Sequence, residues 1–207
     1  MMAPRRAAAL RDGDVSLRDH LIATATRLIA DRGTAGLTVR DIARAADVAV
    51  GVLYNHFEDK EELLALALHA HVRAVDERVG RPAVDGTLAE NLHAFVTHAL
   101  AVHAAFLPAF AGLVGQPEVL ARFDALPNPT ADGRGLHAAL ADYLRAERER
   151  GRVAACTDPD AVATLVIGAC HELLLPRLYR GATTSAEVPP GYVEKVVAAV
   201  LNGVTPR

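Results

Sequence analysis

The chain has 207 residues and a net charge of −3, and 51% of its residues are apolar. This length allows one large domain or two modest ones, and the charge excludes a uniformly basic nucleic-acid-binding protein while allowing a local basic face. Aromatic residues make up only 4% of the chain, so the apolar content is mostly Ala, Leu and Val, which favours an all-α fold.

The N-terminal end and the two cysteines exclude other classes of protein. Residues 1–13 are rich in Ala and Arg, lack the apolar run of a secretion signal, and are predicted to form a flexible arm. Cys156 and Cys170 fit neither a disulfide framework nor a clustered metal site, so we expect two inert thiols. We find no run of about 18 apolar residues without charge and expect no membrane span. The expected location is the cytoplasm.

Apolar periodicity and capping residues predict three short helices followed by a long fourth helix. Ser16, Thr38 and Asp59 each precede a helical stretch and have an acidic residue three positions later, as in a capping box. Gly33 follows the last apolar position of the first helix and is expected to end it. The predicted bounds are 16–32, 39–45, 49–55 and 59–79.

The remainder of the chain is predicted to form five or six more helices, which gives nine to ten in all. Pro127-Asn128-Pro129 marks a clear break. Asp158 and Pro159 are expected at the start of a helix that contains Pro176, which we expect to kink it. The predicted bounds are 87–106, 107–114, 117–126, 133–150, 159–180 and 190–202. We find no period-two alternation typical of a strand and no internal repeat.

The most informative stretch is residues 37–64, which reads LTVRDIARAADVAVGVLYNHFEDKEELL. It contains two short predicted helices joined by a tight turn around Val48. Small alanines at the predicted crossing allow the two helices to approach closely. The expected buried positions are Ile42, Ala43, Ala46, Leu53 and Phe57. This arrangement is typical of a helix-turn-helix, whose second helix enters the major groove of DNA.

This stretch resembles the DNA-binding head of the TetR family. The resemblance covers about 45 residues, and the remaining roughly 145 match that family only in length and helical character. Asp47 replaces the usual Gly of the turn, and Asp tolerates a left-handed backbone. Ala49 replaces the usual Ser or Thr cap, whose loss costs about 1 kcal/mol. The matching residues are Thr38, Ile42-Ala43, Val48, Leu53-Tyr54-Asn55-His56-Phe57 and Lys60-Glu61-Glu62-Leu63-Leu64.

Ten residues are candidate DNA contacts. The predicted phosphate contacts are Thr38 (through a free hydroxyl), Arg44, Tyr54, His56 and Lys60. The predicted base contacts are Arg40, for guanine, together with Val50, Gly51 and Val52, and Asn55 could reach a base or a phosphate. Alternatives remain open, because Arg40 and His56 could be ordinary surface residues, Tyr54 could be a core residue, and Val50 and Val52 could be partner or core contacts.

The resemblance implies a helical sensor domain with a small-molecule pocket. Four of the five phenylalanines lie in residues 92–126, and a cluster of aromatic and polar side chains can line an apolar pocket. An ordinary core is the alternative. The candidate pocket residues are Phe95, His98, Phe106, Phe110, Phe123, Tyr143 and His171. His93, His98 and His103 recur every five residues and share no helix face, so we expect no metal site. No cofactor is expected.

The sequence therefore predicts an all-α, ligand-responsive transcriptional regulator of double-stranded DNA. The expected domains are an arm at 1–13, a helix-turn-helix head at 14–60, and an effector-binding and dimerisation domain at 61–207. The predicted helices at 133–150 and 159–180 are the expected homodimer face, because the second is apolar nearly all round. We predict a repressor that binds a palindromic operator and is released by a small apolar effector.

Two other classes of function were weighed against this prediction. An enzyme is disfavoured because we find no nucleophile elbow, phosphate loop or metal-ligand spacing. A helical protein–protein adaptor that has lost DNA reading remains an alternative. Ala49 and the weak positive charge of the head support it, since residues 1–57 carry eight arginines against six acidic residues.

Overall fold

The computed structural model describes residues 16–113, 115–179 and 188–203. Within these ranges the chain forms nine α-helices and no strand, which confirms the predicted all-α class. The helices are α1 (Leu17–Arg32), α2 (Val39–Ala45), α3 (Val50–Leu53), α4 (Lys60–Val79), α5 (Leu88–Phe110), α6 (Pro117–Asp124), α7 (Leu136–Glu149), α8 (Pro159–Tyr179) and α9 (Tyr192–Asn202). The predicted arm at 1–13 lies outside the described residues.

The helices fall into two compact units. The first unit comprises the described part of Met1–Val72 together with Ala109–Leu126, and the second comprises the described parts of Arg73–Pro108 and Pro127–Arg207. This division differs from the predicted boundary after residue 60. The first part of α4 and the whole of α6 belong with the predicted head, because their apolar residues join the same core.

Local capping interactions begin α1 and α2, and end α1, where the sequence predicts. The Ser16 hydroxyl accepts the Asp19 N–H at 3.2 Å. Thr38 and Asp41 form the reciprocal capping box, since Thr38 Oγ1 accepts the Asp41 N–H and the Asp41 carboxylate accepts the Thr38 N–H. The Thr38 hydroxyl and the Thr38 N–H both donate to the Asp41 carboxylate, and these two bonds favour its charged form and lower the pKa of Asp41. Gly33 ends α1 with a φ of 72°.

The core of the first unit is built from one buried face of each of its helices. Leu21 and Ile29 of α1, Ile42 of α2 and Leu64 and Leu68 of α4 are all fully buried. α3 is only four residues long, shorter than the predicted 49–55, because residues 54–56 form a turn instead. A helix of one turn is not stable in isolation, so tertiary contacts must hold α3.

α5 corrects two expectations. The predicted break near residue 107 is wrong, since the helix continues through Pro108 to Phe110. Pro108 lies in its last turn, where one lost backbone hydrogen bond interrupts little of the helix. α5 is also long and apolar enough to cross a membrane, contrary to our expectation. This is weak support for a span, because Leu92, Val96 and Leu100 are buried in the core of the second unit.

The second unit forms its core mainly from α5, α7, α8 and α9. Asp158 caps α8 as predicted, because its carboxylate accepts the N–H groups of Asp160 and Ala161 at 2.9 and 3.3 Å. α8 continues past Pro176 without a break. It packs against α7 and buries Val166 and Cys170, while other residues of the same helix remain exposed.

Substituting Gly112 should destabilise the first unit. A Cβ atom at Gly112 would lie 2.4 Å from the Ala35 backbone nitrogen, so backbone must move to admit Ala, at a cost of about 1–3 kcal/mol. Gly115→Ala is the matched control, because no atom lies within 4 Å of its Cβ position. Urea unfolding of both variants checks this, and equal midpoints would contradict the close contact.

Candidate DNA interface and ligand cavity

The turn between α2 and α3 adopts the geometry expected of a helix-turn-helix despite the two departures. Asp47 takes the left-handed conformation with a φ of 57°, which Asp tolerates at modest cost. The Val48 N–H donates to the Ala43 carbonyl at 3.0 Å and closes the turn. Ala49 stands at the N-cap of α3 and provides no side-chain hydrogen bond, as its methyl group requires.

α3 separates buried from exposed side chains. Leu53 and Phe57 are 2% and 4% exposed, and both belong to the core of the first unit. Val50 and Tyr54 are 37% and 57% exposed. The alternative of Tyr54 as a core residue is therefore wrong. Gly51 is also exposed, and no atom lies within 4 Å of the position that a Cβ would take.

The remaining candidate DNA contacts lie on α2 and around the start of α4. Arg40 and Arg44 are exposed on α2, Asn55 is exposed, and Val52, His56 and Lys60 are half-buried. Thr38 differs from the prediction. Its hydroxyl is not free, because it donates to the Asp41 carboxylate at 2.6 Å. The reason is the capping box, which uses both the donor and an acceptor position of this hydroxyl.

Two arginines that the sequence did not indicate hold the turn between α3 and α4. Arg18 of α1 donates to Glu62 at 2.7 Å, and its guanidinium lies 4.9 Å from the centre of the Phe57 ring. Arg122 of α6 pairs with Glu58 at 3.0 Å and also with Asp59. The Asp59 carboxylate in turn caps α4 by accepting the Glu62 N–H. These contacts fix the backbone on either side of Lys60.

The second unit contains a cavity of about 180 Å³. α4, α5, α7 and α8 all contribute to its lining, together with residues 81–84 and 131–134. Its apolar wall is formed mainly by Val84, Phe95, Leu136, Leu140, Val166 and Ile167, and its polar groups are Asp76, Arg81, His98 and Arg134. An apolar enclosure with a few convergent polar groups is typical of a small-molecule site.

The predicted pocket residues do not form one cluster. Phe95 and His98 line the cavity, and Tyr143 lies behind Phe95 at a ring distance of 5.2 Å. Phe106 and His171 contact the ring of His103 instead. Phe110 and Phe123 pack edge to face at 5.4 Å in the first unit. The predicted cluster is wrong because residues 92–126 belong to both units.

Burial lowers the pKa of three histidines in the second unit. His98 Nε2 lies 3.8 Å from Asp76 Oδ1, but burial outweighs this attraction and lowers the pKa of His98. His103 bonds the Ala99 carbonyl at 2.6 Å, and burial lowers its pKa to about 4. Burial also lowers the pKa of His171. In the described ranges, no three His, Cys, Asp or Glu side chains are grouped to hold a metal ion.

Residues 21–67, which contain the helix-turn-helix, match the family model described as bacterial regulatory proteins, tetR family. The helix-turn-helix head of the chain is therefore similar to that of the TetR family. The HTH-type transcriptional repressor KstR2 of Mycolicibacterium smegmatis is 47% identical over 49 residues, which are 24% of this chain and 24% of that protein. The match thus spans about a quarter of the length of this curated relative.

Two solved structures share the fold of this chain at low sequence identity. FadR of Bacillus subtilis, solved in complex with stearoyl-CoA, has a TM-score of 0.59 and 17% identity, and the alignment covers 90% of this chain and 98% of FadR. The fatty acid degradation regulator FadR of Bacillus halodurans has a TM-score of 0.61 and 20% identity, with 95% and 100% covered. All three named relatives are regulators rather than enzymes.

Three of the four polar residues that line the cavity were not predicted from the sequence. Arg81 and Arg134 lie in connections between helices, where arginine is usually an ordinary surface residue. Asp76 gave a weak signal, since it follows Val72 and Val75 on the apolar side of α4. A carboxylate next to buried positions of a helix needs a partner, and the partner here is the Ala131 N–H at 3.0 Å.

The depressed pKa of His103 makes the stability of the protein sensitive to acid. The folded state binds the His103 proton less tightly than the unfolded state, so its full contribution is present above pH 6.5 and is lost as the pH falls towards 4. The loss is about 3 kcal/mol at most. Unfolding midpoints measured from pH 7.5 to 4 should fall for the parent protein and fall less for His103→Gln.

His93→Gln, on the exposed side of the same helix, is the control and should keep the acid sensitivity of the parent. If His103→Gln and the parent lose stability equally over this range, the buried imidazole is not the source of the acid sensitivity.

Proposed function

We propose that this protein is a ligand-responsive transcriptional repressor of the TetR family, which binds a palindromic operator as a homodimer and is released by a small-molecule effector. The observation that carries the proposal is the orientation of α3. Leu53 at its end and Phe57 beyond the following turn are buried, while Val50 and Gly51 of this one-turn helix and Tyr54 at its C-cap are exposed. An exposed, largely apolar helix face of this kind suits base edges and thymine methyl groups in a major groove.

The ten candidate residues divide by the chemistry of their side chains. We assign base contacts to Arg40, Val50, Gly51 and Val52, and phosphate contacts to Arg44, Tyr54, His56 and Lys60, with Asn55 able to make either. Thr38 takes a different role in this proposal. Because its hydroxyl is bound to Asp41, it caps α2 and orients Arg40, and it does not donate to a phosphate itself.

The proposed homodimer uses α8. Leu165 is 68% exposed, and its exposed neighbours on the same helix include Ala161 and Gly168. A large exposed aliphatic side chain beside small residues suits close packing against a second helix. One recognition helix reads only a few base pairs, so two heads related by a two-fold axis are needed for a specific operator.

The proposed effector site is the cavity of the second unit. α4 supports this role, because the helix begins with Lys60, a proposed phosphate contact, and supplies Asp76 to the cavity wall. A change around Asp76 can therefore be transmitted along one continuous helix to the DNA contacts. FadR of Bacillus subtilis was solved with stearoyl-CoA, so a fold of this type holds a small-molecule ligand in that protein. The proposal needs no metal or cofactor, and it places the protein in the cytoplasm.

The test of the proposal is selection of binding sites from a random duplex DNA pool, repeated at two salt concentrations. We expect an enriched palindrome with two half-sites, and an affinity that falls steeply with salt as phosphate contacts release counterions. No enriched sequence at either concentration would contradict the repressor assignment. That result would favour the protein–protein adaptor, which the uncapped N-terminus of α3 at Ala49 keeps as the second candidate.

Two substitutions in the head should affect binding to the selected duplex differently. Arg40→Ala should cost about 1–3 kcal/mol and relax the preference at one position of each half-site. Lys60→Ala should weaken binding to all sequences alike and reduce the salt dependence by about one counterion per head. Titration by fluorescence anisotropy at several salt concentrations measures both effects.

Arg73→Ala is the control for these substitutions, because Arg73 is an exposed arginine of the second unit that pairs with Glu77. Its affinity should equal that of the parent protein. If Arg40→Ala weakens binding to all DNA sequences equally, the assignment of Arg40 as a base contact is wrong.

Leu165→Glu should separate the proposed dimer into monomers. Two carboxylates introduced near a two-fold axis have to be buried without partners, which is strongly unfavourable. Sedimentation equilibrium measures the mass of each variant. Leu201→Glu is the matched control, because Leu201 is an exposed leucine on α9, 37% exposed, outside the proposed face. A dimer that persists in Leu165→Glu would rule out this surface.

A further inference from the structure

The cavity in the second unit limits the size of the molecule that fits inside. Its volume of about 180 Å³ is slightly larger than the roughly 150 Å³ of an engineered cavity that holds benzene. Phe95, Leu140 and Val166 supply apolar surface on three different helices. A space of this size and polarity suits one aromatic ring or a short aliphatic chain.

The charges on the cavity wall favour an anion. Two arginines, Arg81 and Arg134, line the cavity against one carboxylate, Asp76. Asp76 is already bound inside the protein, because one of its oxygens accepts the Ala131 N–H at 3.0 Å and the other lies 3.8 Å from His98. The arginine side chains are 72% and 52% exposed, and each guanidinium has five N–H donors. Both arginines therefore have donors to offer to a carboxylate.

The two arginines pair with carboxylates of the protein, which the carboxylate of a ligand could replace. Arg81 pairs with Asp132, whose own φ of 55° is left-handed and unfavourable for a residue with a Cβ. Arg134 pairs with Asp142 at 3.3 Å, but Asp142 also binds Arg145 at 2.6 Å and would keep a partner if Arg134 moved. Both arginines thus already hold carboxylates of the protein, which shows that each can bind this group.

The turn that contains Asp132 is hydrogen-bonded to α4, so replacement of Asp132 on Arg81 can affect that helix. Ala131 also has a positive φ, of 49°, and its N–H is held by Asp76 of α4. Strained backbone of this kind persists only where surrounding contacts maintain it, and it is common at ligand clamps. Removing Asp132 from Arg81 releases one of these contacts, so an anion bound at Arg81 would alter the surroundings of Asp76.

We propose that the effector is a small carboxylic acid with one aromatic ring or a short aliphatic chain. Its apolar part packs against Phe95 and Leu140, and its carboxylate pairs with Arg134 and replaces Asp132 on Arg81. This inference rests on the proposed function in taking the cavity as the effector site. It favours a short apolar part over a long acyl chain, because the cavity volume of about 180 Å³ is close to the roughly 150 Å³ of a cavity that holds benzene.

The test is isothermal titration calorimetry on the full chain with matched probes. The acids are benzoate and 3-phenylpropanoate, their neutral counterparts are benzamide and 3-phenylpropanamide, and octadecanoate is the long-chain probe. We expect at least one of the two acids to bind about tenfold or more tightly than its amide, as expected for charge-assisted hydrogen bonds to arginine. Octadecanoate should not bind. Equal affinity of acid and amide, or binding of octadecanoate alone, would overturn the proposal.

Arginine variants test where the carboxylate binds. Arg134→Gln and Arg81→Gln should each reduce acid affinity about tenfold and leave amide affinity unchanged. Arg78→Gln, an exposed arginine that does not line the cavity, should bind the acid as the parent does. An unchanged preference for acid over amide in both cavity variants would contradict the assigned arginines.

A parallel assay with the selected duplex separates this inference from the proposed function. An acid that binds with the expected preference but leaves the DNA complex intact supports the ligand class and contradicts ligand-controlled release. Release of DNA by a compound of another class, with no binding of either acid, supports the repressor and overturns the ligand class.

Discussion

The burial of Leu53 and Phe57 is the constraint on which the candidate DNA interface depends. α3 has four residues and no side-chain cap, so its own backbone hydrogen bonds cannot maintain it. Leu53, its last residue, and Phe57, which follows the turn at 54–56, both join the core formed by α1, α2 and α4, and this contact fixes the rotation of the helix. Val50 and Tyr54, four positions apart, consequently share the exposed face.

α4 contains residues of both candidate sites. Its first turn carries Lys60 beside the ion pairs of Arg18 and Arg122, and its last turns carry Asp76, which binds the Ala131 N–H at the cavity. One uninterrupted helix therefore supplies side chains to both candidate sites. This continuity gives a physical route by which occupation of the cavity can change DNA binding without a chain of separate contacts.

Features that depend on short-range interactions were predicted correctly from the sequence. The caps at Thr38 and Asp158 and the left-handed Asp47 follow from short-range hydrogen bonding and backbone preference, and the structure has all three. Features that depend on packing between distant parts of the chain were not predicted correctly. Phe110 and Phe123 lie outside the predicted pocket because α5 continues into the first unit. The apolar periodicity of a helix does not indicate where that helix passes from one unit to the next. Nor does a charged stretch reveal that Glu147 is buried, with its carboxylate held by Arg150 and Arg152.

The most direct measurement is oxidative footprinting of the protein, read by mass spectrometry, with and without the selected duplex. Tyr54 is 57% exposed and should lose most of its reactivity on the DNA, because the bound face of α3 excludes solvent. Tyr192 of α9, whose hydroxyl donates to the Ala169 carbonyl in the second unit, should react equally in both states. Undiminished oxidation of Tyr54 on a specifically bound duplex would contradict the assignment of this helix as the DNA-reading element.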